Sequence, residues 1–165
     1  MNISSAIIQG AKVLKERFIN NPYLDSEILM TNVIQKDKKY ILLNSKRDLS
    51  RDDLNTFQKL IIKRSFGKPI AYLINKKFFW ESEFTVSDHT LIPRPDTELI
   101  VEKVLDLTVY KKKLNILEIG VGSGCILLSI LKERKSFYGT GIDICKSCLK
   151  ISKLNAIKLK LTSKL

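Results

Sequence analysis

Over residues 1–66 apolar side chains recur at three- and four-residue intervals, the period of helices that bury one face. Ile7, Ala11, Leu14 and Phe18 mark one such helix, and Leu24, Ile28, Leu29 and Val33 mark another after Asn21-Pro22. Ser50 stands where it can cap a third, with Asp53 in the first turn where an acid favours the helix dipole. Leu54, Phe57, Leu60 and Ile61 form the stripe of that helix, and Gly67 and Pro69 end it. From Ala71 to Val86 the pattern changes to β-branched and aromatic residues interrupted by Glu81-Ser82-Glu83, which predicts a hairpin. Its aromatics, Tyr72, Phe78, Phe79, Trp80 and Phe84, are expected to pack against a neighbouring domain rather than to stack on bases. Leu91-Ile92-Pro93-Arg94-Pro95 is a stiff extended lead, because each proline fixes its own φ and restrains its predecessor. A helix follows from about Asp96 to Leu107 with Ile100, Val101, Val104 and Leu105 inward, then strands at Leu114–Ile119 and Phe137–Ile142.

Where the first of these strands ends, the candidate chemistry begins. Gly120, Gly122 and Gly124, with Val121 and Ser123 between them, make a turn in which the backbone can take positive φ and a ligand can touch the peptide itself. The amides of the next helix's first turn are expected to face that ligand. Glu118, at the strand end, can accept a hydrogen bond from an ammonium or a hydroxyl. Asp143 closes the second strand 19 residues past Gly124, the distance at which one helix and one strand bring an acid back beside the turn to hold two ribose hydroxyls. The combination points to a nucleoside cofactor. A dinucleotide fingerprint wants glycine at the sixth place, where Cys125 stands, and Glu118 would repel a pyrophosphate. S-adenosylmethionine carries a sulfonium and an ammonium and no phosphate, so the electrostatics select that methyl donor. No ATP-type GK[ST] loop exists, and the single His89 has no partners spaced for a metal or a triad. Cys145-Lys146-Ser147-Cys148 lies near a helix start, where thiolates can be stabilised, but one pair with a distant Cys125 falls short of a zinc set.

Charge adds one question. Lys plus Arg outnumber Asp plus Glu by 29 to 17, and residues 1–80 hold fifteen of the basic and seven of the acidic residues. Such a surface suits an anionic partner, or equally reflects solvated lysines on helix faces. No apolar run approaches the roughly eighteen residues of a membrane span, and the first residues lack the form of a secretory signal. A cytoplasmic protein with reduced cysteines, and no membrane partner, is expected.

Three stretches resemble the bacterial release factor glutamine methyltransferases. They are Gly67-Lys68-Pro69-Ile70-Ala71-Tyr72-Leu73 with Phe78-Phe79-Trp80, then Leu91-Ile92-Pro93-Arg94-Pro95-Asp96-Thr97-Glu98, and then Glu118 to Gly124 with Asp143 and Asn155-Ala156. The resemblance implies an α/β protein with a helical substrate-docking domain at 1–70, a β-hairpin linker at 71–93, and at 94–165 the first part of a Rossmann-like S-adenosylmethionine domain. It implies methylation of the glutamine in the GGQ loop of class 1 peptide release factors. It places the cofactor on Glu118, Gly120, Val121, Gly122, Ser123, Gly124 and Asp143, with Pro93, Arg94 and Thr97 at its border or serving only to fix the start of the helix. The family's substrate-binding Asn-Pro-Pro-Tyr is absent from these 165 residues, so no catalytic residue is assigned and little or no methyl transfer is expected of them alone. The chain is expected to be cut short, with a separately encoded C-terminal half as a conceivable partner. Ile116, Ile119 and Ile142 are expected to lack neighbours, leaving residues 94–165 poorly stable. The rival readings are an adenine N6 methyltransferase, which the Pro93–Glu98 stretch disfavours, and a non-enzymatic remnant.

Overall fold

The computed structural model describes residues 1–164, which group into two compact units, Met1–Ile74 and Asn75 onward. The first unit holds α1 (Ile3–Glu16), α2 (Pro22–Ile34), α3 (Lys38–Leu43), α4 (Arg51–Ser65) and the short α5 (Ile70–Ile74). Its core is Ile3, Ile7, Leu14, Leu29, Met30, Phe57 and Ile61. Three N-termini are capped by local side chains: Asn2 accepts from Ser5 N–H, Asp37 from Tyr40 N–H, and Ser50 from Asp53 N–H. Gly67 takes φ +86 just past α4.

Two apolar positions of the periodic reading are displaced outward. Phe18 lies beyond the end of α1, at φ +57, and is exposed; Leu24 is about half exposed on α2. Polar groups with partners are buried in this unit instead. Ser26 donates to the Ile7 carbonyl at 2.8 Å where α1 and α2 meet, and a Cβ on Gly10 would stand only 2.7 Å from its Oγ. Asp25 is buried against Arg64, Nε to Oδ2 2.8 Å, tying α2 to α4. Hydrophobic spacing alone does not register a face whose approach distance is set by a glycine and a serine.

The second unit begins with a hairpin of β1 (Lys76–Phe79) and β2 (Ser82–Thr85), in register Phe79↔Ser82. The chain from Ala71 to Ile74, read in the sequence as part of this hairpin, is instead α5. Phe79 and Phe84 pack edge to face at 6.2 Å and are fully buried, whereas Phe78 is exposed. These two rings belong to the same core as Val101, Leu127, Leu128, Leu131 and Phe137. Of the segment read in the sequence as a linker, 71–74 belongs to the first unit and the hairpin that follows is part of the second unit's interior, where residues 94 onward share its core.

After a 3-10 turn at Pro95–Thr97, α6 (Glu98–Leu107) leads to β3 (Asn115–Ile119), α7 (Cys125–Glu133), β4 (Tyr138–Ile142) and α8 (Lys146–Lys158). The α6 stripe is narrower than its periodicity predicts, with Val101 buried and Ile100 half exposed. β3 and β4 are parallel, Ile119 opposite Ile142, with α7 as the crossover. Alternation sorts the two strands cleanly. Gly139 and Gly141 face α7 and its preceding turn, where a Cβ would lie 2.6 Å from Leu127 Cδ1 and 2.7 Å from Val121 Cγ2. Leu117, Ile119 and Ile142 stand on the opposite, exposed face. Ile116, expected to lack neighbours, packs against the core.

One buried side chain joins three segments of this unit. Asn155 on α8 accepts from Thr85 N–H at 2.8 Å and donates to the Thr85 and Ser123 carbonyls at 2.9 Å each. Both of its N–H donors and its oxygen are engaged, and truncation would leave all three backbone groups without it. Asn155→Ala is expected to lower unfolding stability by about 3 kcal/mol in urea titrations; a loss under about 0.5 kcal/mol, the size of an ordinary surface change, would refute this role.

Candidate functional site at the strand ends

At the C-terminal ends of two parallel strands, backbone groups lose their ladder partners and a ligand site can form. Here the chain leaves β3 through Gly120, φ +78, Gly122, φ +55, and Gly124, φ +80. The spacing predicts such a turn, and these conformations are why its alternate residues are glycine. A Cβ on Gly120 would meet nothing within 4 Å, so that peptide borders open space; one on Gly124 would strike Ser152 Oγ at 2.7 Å. An open hollow of about 430 Å³ is lined by Ile119, Gly120, Ile142, Asp143 and Ile144.

The amides of the turn point inward. Gly120 N–H and Val121 N–H both donate to the Ile142 carbonyl, at 2.8 and 3.0 Å, and Gly124 N–H donates to the Val121 carbonyl at 2.7 Å. Gly122 N–H donates to Asp143 Oδ2 at 2.9 Å, and Leu127 N–H in the first turn of α7 donates to Glu118 Oε2 at 3.0 Å. Of the first-turn amides of α7 that were expected to face a ligand, that of Leu127 is turned to Glu118 instead, and the four turn amides named here are likewise paired within the protein, because the tight turn needs its own N–H groups to close. An anion nest of the kind that holds pyrophosphate requires them free.

Both acids of the sequence reading thus have a structural task. Asp143 Oδ1 also accepts from Cys145 N–H at 2.8 Å, so its carboxylate clamps the turn to the chain leading into α8. The amides of Cys145 and Gly122 hold its carboxyl below the usual range, so it is ionised at neutral pH. With one backbone donor on each oxygen, both oxygens keep a lone pair for a ligand hydroxyl. Glu118 differs: burial pushes its carboxyl up to about 7, against the opposing Leu127 N–H. It shares the inward face of β3 with Ile116.

Of the remaining sequence-predicted site residues, Val121 and Ser123 are buried and shape the turn from within, Ser123 through its carbonyl on Asn155. Gly120 and Asp143 line the hollow, whereas Glu118, Gly122, Gly124, Pro93, Arg94 and Thr97 do not. Pro93 is buried, Arg94 is exposed, and the Arg94 carbonyl accepts from Thr97 N–H at 3.0 Å in the 3-10 turn. Asn155, Gly139 and Gly141 carry weight that spacing alone does not assign them. The signal was there: two glycines two residues apart in a strand mark a face approached closely by something else. A second hollow, about 220 Å³ between α1 and α4, is lined by Gly10, Val13, Leu54, Phe57 and other residues without a titratable group.

A parallel βαβ unit with a glycine turn and a strand-ending acid marks an α/β protein, with a candidate ligand site at the carboxyl ends of its strands. Residues 5–74 match the family model of the PrmC N-terminal domain. The release factor glutamine methyltransferase of Buchnera aphidicola subsp. Schizaphis graminum is 40% identical over 161 residues, covering 98% of this chain and 58% of the relative. That of Buchnera aphidicola subsp. Baizongia pistaciae is 41% identical over 157 residues, 93% of this chain and 56% of the relative. A bifunctional methyltransferase of Rickettsia bellii is 34% identical over 190 aligned residues, 99% of this chain and 34% of the relative. The chain is similar to release factor glutamine methyltransferases over nearly its whole length, and it spans a little over half the length of those it matches.

Burial of Glu118 has a consequence for stability with a definite sign. Its carboxyl lies near 4.5 when free and at about 7 in the fold, so folding favours the protonated form. The associated stability is complete below pH 4.5 and is lost as pH rises through 7, by about 3 kcal/mol. Glu118→Gln keeps an acceptor for Leu127 N–H and removes the titration. In urea titrations from pH 4.5 to 8, the variant is expected to gain on the parent by that amount; parallel curves would contradict the burial argument.

Proposed function

We propose that residues 1–165 supply the S-adenosylmethionine cradle of an enzyme that methylates the GGQ-loop glutamine of class 1 peptide release factors in the cytoplasm. The observation that carries the cofactor reading is the inward pairing of the turn amides. With five of them donated within the protein, the turn offers little to a phosphate, while two carboxylates and an open peptide at Gly120 remain for a cationic nucleoside. The names of the relatives support the reaction and its substrate. The βαβ unit accords with the beginning of a Rossmann-like domain, and residues 1–70 would serve to dock the substrate.

In this reading Asp143, ionised and held by two amides, accepts the ribose hydroxyls. Glu118, with Oε2 on Leu127, turns its other oxygen toward the ammonium. The bound cofactor supplies an electrophilic methyl on a sulfonium. Gly120 and the apolar Ile119, Ile142 and Ile144 border the space for the nucleoside. No helix among the described residues is long and apolar enough to cross a membrane.

Titration calorimetry with S-adenosylmethionine tests this. Binding a cation beside Glu118 lowers its pKa from about 7, so at pH 6 binding is expected to release a fraction of a proton, read from the dependence of heat on the buffer's ionisation enthalpy. Glu118→Gln is expected to abolish that release, and Asp143→Ala to weaken binding by about tenfold or more. Heat from a pyrophosphate dinucleotide and none from S-adenosylmethionine would overturn the reading. Since these residues contain no Asn-Pro-Pro-Tyr, they are expected by themselves not to methylate a release factor, and stoichiometric transfer would contradict that.

A further inference from the structure

The Asp143 clamp ends on a cysteine pair that neither the turn nor the cofactor reading uses. Cys145 occupies the N-cap position of α8, a helix of 13 residues, and Cys148 lies in its first turn. Cys145 is partly exposed and Cys148 is buried; both are free thiols. The Cys148 N–H and thiol both point at the Cys145 sulfur, holding its thiol below the ordinary range. The Cys148 thiol is also 3.0 Å from the His89 carbonyl, and its one proton can serve only one of these acceptors at a time. Burial pushes Cys148 up to about 11. The arrangement is thus asymmetric, an accessible nucleophile backed by a shielded thiol three residues on, as dithiol chemistry at a helix N-terminus requires.

We propose that Cys145 and Cys148 form a redox-active dithiol that closes to a disulfide and, in closing, disturbs the Asp143 clamp on the glycine turn. In the first step the Cys145 thiolate attacks a low-molecular-weight disulfide, forming a mixed disulfide and expelling one thiolate. In the second, Cys148 loses its proton to solvent and attacks the Cys145 sulfur, expelling the other. Two protein thiols are oxidised and one small disulfide is reduced to two thiols. Ring closure takes the Cys148 sulfur from the His89 carbonyl and redirects Cys145, whose N–H is held by Asp143 Oδ1. The other oxygen of that carboxylate holds Gly122 N–H.

The test uses the full chain with glutathione disulfide and needs no cofactor, so its outcome is separate from that of the binding reading. Trypsin cuts after Lys146, between the two cysteines, so the disulfide is expected as a linked pair of peptides, Ser136–Lys146 with Ser147–Lys150. Gly122 amide exchange is expected to quicken about fivefold on oxidation, the factor that one weakened hydrogen bond allows. Cys125→Ser should leave both results unchanged, and Cys145→Ser should remove both. A glutathione adduct that never closes, pairing through Cys125, or a closed disulfide with unaltered Gly122 exchange would each overturn the proposal.

Discussion

A chain that leaves a strand and enters a helix within five residues must find partners for peptide groups that neither element can satisfy. That obligation governs the second unit. The turn from Gly120 to Gly124 meets it with the Ile142 carbonyl, the Val121 carbonyl and two carboxylates, while Asn155 secures the Ser123 carbonyl from behind. Apart from the Val121 carbonyl, which belongs to the turn itself, these partners come from β3, from the end of β4 and from α8, so the turn has its shape only when those elements are assembled around it. The acids are therefore structural before they are functional.

This dual role separates Glu118 from Asp143. Asp143 is partly exposed and amide-bound, so it stays ionised. Glu118 is largely desolvated, and its charge at neutral pH is only partly in place until something cationic arrives. Under the proposed function, such a site would couple ligand charge to proton release and would disfavour phosphates through carboxylate repulsion and the pairing of its turn amides.

The features most legible in the sequence were those with a local cause. Ser50 as a cap, Gly67 as a helix end, the glycine turn, and the acid returned by one helix and one strand each follow from backbone rules within a few residues. What escaped the pattern depends on contacts distant along the chain. Phe18 and Leu24 fit a helical period yet lie outside, while Gly10 and Ser26 meet where α1 and α2 approach and the Asp25–Arg64 pair ties α2 to α4. The hairpin reads as a separate element until Phe79 and Phe84 are found in one core with Leu128 and Phe137. Whether a glycine turn presents its amides or consumes them is likewise set by Ile142 and Asp143, some twenty residues on.

Amide-resolved nuclear magnetic resonance of Gly122 and Leu127 during addition of S-adenosylmethionine bears most directly on this account. Both protons should remain protected throughout, still held by Asp143 and Glu118 while the ligand occupies the hollow beyond them. Loss of their protection on binding, or an equal response to a pyrophosphate dinucleotide, would show that the turn gives its amides to the ligand and would contradict the account.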